Sequence, residues 1–384
     1  PKPFLPKKNE FYVDFINGVK FEVLGEIDTK YKVQFIDLST NEIYLEDQIT
    51  NNMWCRSNKK YFIDTHIKVI DVNTNKIVFE HFYNAKGKKV YVHISSNAIG
   101  DTIAWFPYVE EFRKKHKCEL IVSTFYNSWF EKEYPEIKFV KPGTELYNLY
   151  AMYEIGWHYT DGEISSNTNK NDFRLLPLQQ TSSDALGIEY KEIKPKVSFK
   201  NIGPTIEGDY ICIAPHASAH AKYWNYPNGW QKVIDYFTNK GYKIVMITQE
   251  PLNDEWHDSK LGGTLYNVID KTGDYPLEDR ANDLLNAKAY IGLGSGLSWI
   301  AWTLNTPITL ISGFSEPYSE FNDCERISTP KGKCTGCFNK TRLDPSDWEW
   351  CPEHKDTPKQ FECTKSITPE VVIEAINRQL KKNS

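Results

Sequence analysis

The sequence has no run of apolar residues approaching the ~20 that a helix needs to cross a bilayer. It also has no basic excess: 46 Lys and Arg stand against 51 Asp and Glu, a formal net charge of −5 at pH 7. That balance argues against nucleic acid and against membrane insertion or an anionic membrane surface. The residues PKPFLPKKNE at its start lack the apolar core of a secretory signal, so a cytoplasmic location is the expectation. No internal repeat and no low-complexity tract interrupts the chain, and no Asp-x-Asp pair of the kind that carries a divalent metal occurs. What remains is a chain of 384 residues, long enough for two or three domains. Its 11 Trp, 23 Tyr and 20 Phe suit a protein that handles carbohydrate.

Residues 10 to 85 read as all-β. FYVDFINGVKFEVLG alternates apolar and polar residues around Asn17-Gly18, a hairpin signal. Two further stretches repeat the pattern, with turns at Thr40-Asn41-Glu42 and Asn73-Thr74-Asn75-Lys76. About six short strands are predicted, enough for a small antiparallel barrel. From residue 88 the rhythm changes. KKVYVHI, CELIVSTF, YICIAPHAS, YKIVMITQE, AYIGLG and TPITLISG are near-continuous apolar strands, and helical stretches alternate with them. The predicted organisation is a β-barrel domain over 1–86, a first Rossmann-like half over 87–204 and a second over 205–330. A cysteine-rich finger over 331–365 and a terminal helix over 366–384 follow.

Polar loops at the carboxyl ends of these strands are where an α/β protein keeps its chemistry. Ser95-Ser96-Asn97-Ala98-Ile99-Gly100-Asp101 joins a strand to a helix. On the residues alone, Asp101 reads first as a helix N-cap, with a general base as the alternative. Gly292-Leu293-Gly294-Ser295-Gly296-Leu297-Ser298 opens a second helix, whose free N–H groups suit a phosphate. A tight βα turn would use the same glycines. Ser218 and Lys222 flank a third loop, where a lysine is a point charge for phosphate. Glu250 ends a strand where a carboxylate accepts from a ribose.

Of eight cysteines, Cys55, Cys118 and Cys212 sit in apolar stretches and read as small buried hydrophobes. The other five crowd between residues 324 and 363. Cys334-x-x-Cys337, Cys351 and Cys363 offer four thiolates to a closed tetrahedral metal site, iron or zinc, folding a projecting arm. Disulfides are the alternative, and Cys324 and His354 are spare donors.

These pieces together resemble the bacterial autotransporter heptosyltransferases, a branch of the GT-B glycosyltransferases related to the lipopolysaccharide heptosyltransferases. The resemblance rests on Asn97-Ala98-Ile99-Gly100-Asp101, the Lys222 loop, DLLNAKAYIGLGSGLSWIAW and the four cysteines. It implies an α/β GT-B fold that transfers heptose from ADP-heptose to serine hydroxyls of an autotransporter passenger domain, in the cytoplasm. Asp101 would be the general base and Lys222 the diphosphate-binding lysine. Ser295, Gly296 and Leu297 would cradle the phosphates. One structural iron per chain, with zinc as the alternative, would sit on Cys334, Cys337, Cys351 and Cys363. A large ring-like homo-oligomer, a dodecamer by resemblance, would form. The lipopolysaccharide relatives carry Asp-Thr-Gly where this chain has Gly294-Ser295-Gly296, and histidine in place of Trp299. The rival readings are a lipopolysaccharide-core heptosyltransferase and a non-catalytic nucleotide-sugar-binding assembly protein.

Overall fold

The computed structural model describes residues 6–340 and 349–382. They fall into two compact units. Unit 1 is the chain up to Asn97 with 105–173 and 179–191; unit 2 is 98–104, 174–178 and 192 onward.

Unit 1 begins with seven strands: β1 (Glu10–Ile16), β2 (Lys20–Leu24), β3 (Tyr31–Asp37), β4 (Glu42–Ile49), β5 (Trp54–Arg56), β6 (Thr65–Asp71) and β7 (Lys76–Phe82). Then come β8 (Lys89–Ile94), helix α1 (Ile99–His116, whose residues 99–104 group with unit 2), β9 (Glu119–Ser123), β10 (Lys138–Phe139) and β11 (Ala151–Ile155). A short hairpin of β12 (Tyr159–Thr160) and β13 (Glu163–Ile164) precedes α2 (Leu178–Leu186).

The predicted single barrel is corrected here. β4-β3-β6-β7 form one antiparallel sheet, while β1, β2 and β5 extend the parallel sheet in the order β10-β9-β8-β11-β1-β2-β5. The reason is the open edge of β11. It needs a partner, and β1 supplies one in parallel, with Phe15 opposite Ala151 and Phe15 N–H donating to the Tyr150 carbonyl at 2.8 Å. The two sheets meet through aromatic rings: Phe79 of β7 lies 5.3 Å from Phe11 and 5.7 Å from Phe21 between centroids. The hairpin turn at Asn17-Gly18 forms as read, with φ of 55° and 101°. Left-handed values at both central residues match the twist of the flanking strands.

Unit 2 holds a six-stranded, all-parallel sheet. Its strands are β14 (Tyr210–Ala214), β15 (Lys243–Met246), β16 (Ile269–Asp270), β17 (Ala289–Leu293), β18 (Ile308–Ser312) and β19 (Glu325–Ser328). The helices are α3 (Gly229–Asn239), α4 (Glu255–Leu261), α5 (Leu277–Asn286), α6 (Gly296–Thr303), α7 (Cys337–Lys340), α8 (Glu362–Lys365) and α9 (Pro369–Lys382). The spatial order β16-β15-β14-β17-β18-β19 is 3-2-1-4-5-6 in chain order, a doubly wound nucleotide-binding arrangement. Every residue of β14, β17 and β18 is buried, which is why these strands read as unbroken apolar runs. Trp230, Val233, Ile234 and Phe237 of α3 join Val372, Ala375 and Ile376 of α9 in one core over the sheet. Cys55, Cys118 and Cys212 are buried, as read. No helix among the described residues is long and apolar enough to cross a membrane.

Substituting Gly18→Ala is expected to destabilise the protein by more than about 1 kcal/mol. The position has φ 101°, and an added Cβ would stand 2.1 Å from the Ser57 carbonyl oxygen. A denaturant melt compared with wild type checks this.

Candidate active site

In a sheet of order 3-2-1-4-5-6 the chain leaves the first and fourth strands on opposite faces, and a crevice opens past their carboxyl ends. Here those strands are β14 and β17. The loop after β14 carries Ser218 and Lys222; the loop after β17 carries Ser295, Gly296 and Leu297; Glu250 follows the adjacent β15. Three loops carrying sequence candidates therefore leave the carboxyl ends of neighbouring strands, two of them flanking the switch point of unit 2.

The β17 loop is tied from below. Ser298 Oγ donates to the Leu293 carbonyl, which anchors the first turn of α6 to the end of the strand. Ser295 takes the N-cap position with extended backbone and makes no side-chain cap. Its Oγ is sealed from solvent, facing the Tyr290 hydroxyl without reaching hydrogen-bond geometry. The first N–H groups of α6 thus lack a side-chain cap at Ser295, and the macrodipole adds positive potential there.

Residues 98–104, the start of α1, group with unit 2. Two helix starts interlock there. A Cβ added at Gly296 would stand 2.7 Å from Ile99 Cβ, and one added at Gly100 would stand 2.8 Å from Trp299 Cδ1. Each helix carries, in its first turn, a glycine that receives the other's side chain. Trp299 is buried and packs edge-on against Trp302 and Phe321. Asp101 is not the N-cap that its position first suggested. The helix begins at Ile99, the Ala98 carbonyl accepts from Thr102 N–H at 3.1 Å, and Asp101 is the third helical residue. Asn97 and Ala98 are exposed, and the Asn97 carbonyl accepts from the Tyr126 hydroxyl at 2.8 Å.

Lys222 ends a 3-10 turn, His220–Lys222, and is half-buried. Burial lowers its ammonium's pKa; the carboxylates of Glu320 and then Asp101 push it back up. The Asp101 carboxylate thus acts electrostatically on Lys222. Glu320 is the member that sequence reasoning missed. Nothing local marks it, because it lies in irregular chain between β18 and β19. Ser218 is exposed. Glu250 is half-buried, and its charge acts on Arg280, whose guanidinium donates to the carbonyls of Gly273 and Thr248. Beneath this loop His216, 2% exposed, shares a hydrogen bond of 3.2 Å with Thr248 Oγ1. Burial, and then the neighbouring His257, push its pKa down to about 3.

The cysteine segment does not project in its described part; residues 341–348 lie outside the described residues. Cys337, Cys351 and Phe361 form a buried cluster with Phe314 and Ala221, and Cys334 packs against it. Ala221 directly precedes Lys222. His220 is ring-packed on Phe361 at 4.6 Å and its Nδ1 lies 3.2 Å from the Glu349 carbonyl. The Lys222 loop thus rests on the cysteine cluster. Burial and then the neighbouring thiols push Cys337 up to about 12; burial chiefly raises Cys363 to about 11. All eight cysteines are free thiols. Among the described residues no three His, Cys, Asp or Glu side chains are drawn into a metal-holding arrangement. The donor chemistry nonetheless suits a thiophilic cation: a positive ion would offset the burial, and then the repulsion between thiolates, that keep Cys334, Cys337 and Cys363 protonated.

Two switch-point loops and a helix start beside a lysine are the arrangement of a doubly wound α/β protein suited to a phosphorylated ligand. Residues 112–321 match the model of glycosyltransferase family 9 (heptosyltransferase). The autotransporter heptosyltransferase Aah of Escherichia coli is 34% identical over 385 residues, 97% of this chain and 94% of Aah. The crystal structure of the iron-containing dodecameric glycosyltransferase TibC from enterotoxigenic E. coli H10407 matches with a TM-score of 0.87 and 30% identity, covering 100% of both chains. Dodecameric iron-containing TibC in complex with ADP-D-beta-D-heptose matches at 0.86 and 29%, again over 100% of both. The chain belongs to glycosyltransferase family 9, the heptosyltransferases.

Gly296→Ala is expected to cost about 1–3 kcal/mol by overpacking against Ile99, and adding Ile99→Ala should recover part of it. A double-mutant cycle by thermal melting measures the coupling. The His216 imidazole, neutral in the fold, contributes stability that is whole above pH 6.5. That stability is lost as pH falls towards 3, because the unfolded chain takes up the proton first. Stability of His216→Gln should depend less on pH, by up to about 3 kcal/mol between pH 7 and 4, in denaturant melts across that range.

Proposed function

We propose that this protein is a protein O-heptosyltransferase, moving heptose from ADP-heptose to serine hydroxyls of an autotransporter passenger domain in the cytoplasm. The names of Aah and TibC and the ADP-D-beta-D-heptose held by TibC support donor and acceptor class. The observation that carries the reading is the shared field of Asp101 and Lys222 beside the interlocked starts of α1 and α6.

A serine hydroxyl is a weak nucleophile at neutral pH. The Asp101 carboxylate takes its proton as the oxygen bonds to the anomeric carbon, worth roughly 10²–10⁴-fold. The bond from that carbon to the β-phosphate oxygen breaks, and its electron pair leaves with ADP. Lys222 and the first N–H groups of α6, at Gly296 and Leu297, meet the growing negative charge. Ser218, Ser295 and Glu250 line the nucleotide side, with Glu250 accepting from the ribose; Asn97, Ala98 and Ile99 shape the approach to Asp101. Cys334, Cys337, Cys351 and Cys363 would hold one structural iron, with zinc as the alternative, through their thiolates. A metal there would fix the bed of the Lys222 loop, since Ala221 shares a buried cluster with Cys337 and Cys351. TibC is iron-containing and dodecameric, and a ring-like homo-oligomer is proposed here on that likeness.

Incubation with ADP-heptose and a serine-containing passenger fragment should add one heptose mass per modified serine, read by intact mass. Asp101→Ala should lower turnover by roughly 10²–10⁴-fold while ADP affinity stays near wild type. Unchanged turnover in that variant would remove Asp101 as the base. Donor binding without transfer would favour the assembly-protein reading, and lipopolysaccharide core as sole acceptor the lipopolysaccharide reading.

A further inference from the structure

One nearly buried carboxylate of unit 2 has no role in the reading above. Glu320 is held at both oxygens. Oε1 accepts from Ser315 Oγ at 2.7 Å, and Oε2 accepts from Arg326 Nη1 at 2.8 Å. Arg326 is itself fixed, donating through Nη2 to the Phe321 carbonyl at 2.9 Å. The carboxylate's side chain is 10% exposed. Held this way, it is aimed at the glycine loop. A Cβ added at Gly294 would stand 2.6 Å from Glu320 Oε1 and 3.8 Å from Ser315 Oγ. Gly294 has no side chain because a carboxylate from elsewhere in the chain fills that space. The same carboxylate acts on Lys222 more strongly than Asp101 does.

A bare carboxylate beside a diphosphate site would repel the ligand. Arg326 neutralises the far oxygen of Glu320, so the near oxygen presents a moderated negative charge to the loop. That suits a group that orders a cation without competing fully with the anionic ligand. We propose that Glu320 is a positioning residue of the donor site, occupying the side-chain space of residue 294 and holding the Lys222 ammonium over the loop that receives the donor's diphosphate. The proposal rests on the donor-site reading of Lys222 given above.

The test is ADP binding by calorimetry from pH 7 to 10, with melting temperatures in parallel, for wild type, E320Q, E320A, K222M, G294D and G294D/E320A. E320Q keeps the shape of Glu320 and removes its charge. Its alkaline loss of affinity should begin about one pH unit lower than in wild type, hence ~10-fold weaker binding above that limb, with its melting temperature nearly kept. G294D places a second carboxylate against Glu320 and should weaken binding. G294D/E320A returns a single carboxylate to the same space and should bind several-fold better than E320A. A carboxylate that only braces Ser315 and Arg326 would give no such rescue. The proposal is overturned if folded E320Q keeps the wild-type alkaline limb, or if G294D/E320A binds no better than E320A. Should E320Q fail to fold, the double variant decides: recovery of melting and binding supports the proposal, and recovery of melting alone overturns it. If K222M binds ADP as wild type does, the donor-site reading itself fails and this proposal with it.

Discussion

The site depends on a reciprocal fit between two helix starts. Ile99 fills the space that a side chain at Gly296 would need, and Trp299 fills the space at Gly100. Neither glycine is free to change alone. The contact sets where α1 begins relative to α6, and so brings the Asp101 carboxylate into the field of Lys222. Packing at this density tolerates little adjustment. A preorganised arrangement of charge, rather than a flexible one, is what the proposed transfer would need to stabilise the departing diphosphate.

The order of the sheet in unit 2 accounts for the rest of the convergence. With β14 and β17 adjacent at the reversal point, loops distant in sequence, at 215–222 and 294–297, end at one place. Glu320 then joins them from the irregular chain after β18, held by Arg326 and Ser315. Three chain segments contribute one charge pattern, and the doubly wound topology is the reason that they can.

Much of this was legible in the sequence, for physical reasons that differ by element. The fully buried strands YICIA, AYIGL and ITLIS announce themselves as unbroken apolar runs, and Asn17-Gly18 can make only a narrow range of turns. Asp101 and Lys222 could be proposed from the sequence because they sit past strand ends, where helical turns follow. What was not legible is long-range. Nothing in β1 says that it will pair with β11 rather than close a barrel. Glu320 carries no local signal, and its meaning comes only from the empty position at Gly294. The cysteine spacing suggested an arm, but Ala221, one residue before Lys222, belongs to the same buried cluster as Cys337 and Cys351.

That last arrangement bears on synthesis. The bed under the Lys222 loop is made by Phe314, Cys337, Cys351 and Phe361, all translated well after residue 222. While the nascent chain is still on the ribosome, β14 can form but the lysine at its end has no floor. The Lys222 loop therefore reaches its final packing only after the cysteine-bearing stretch has emerged and docked.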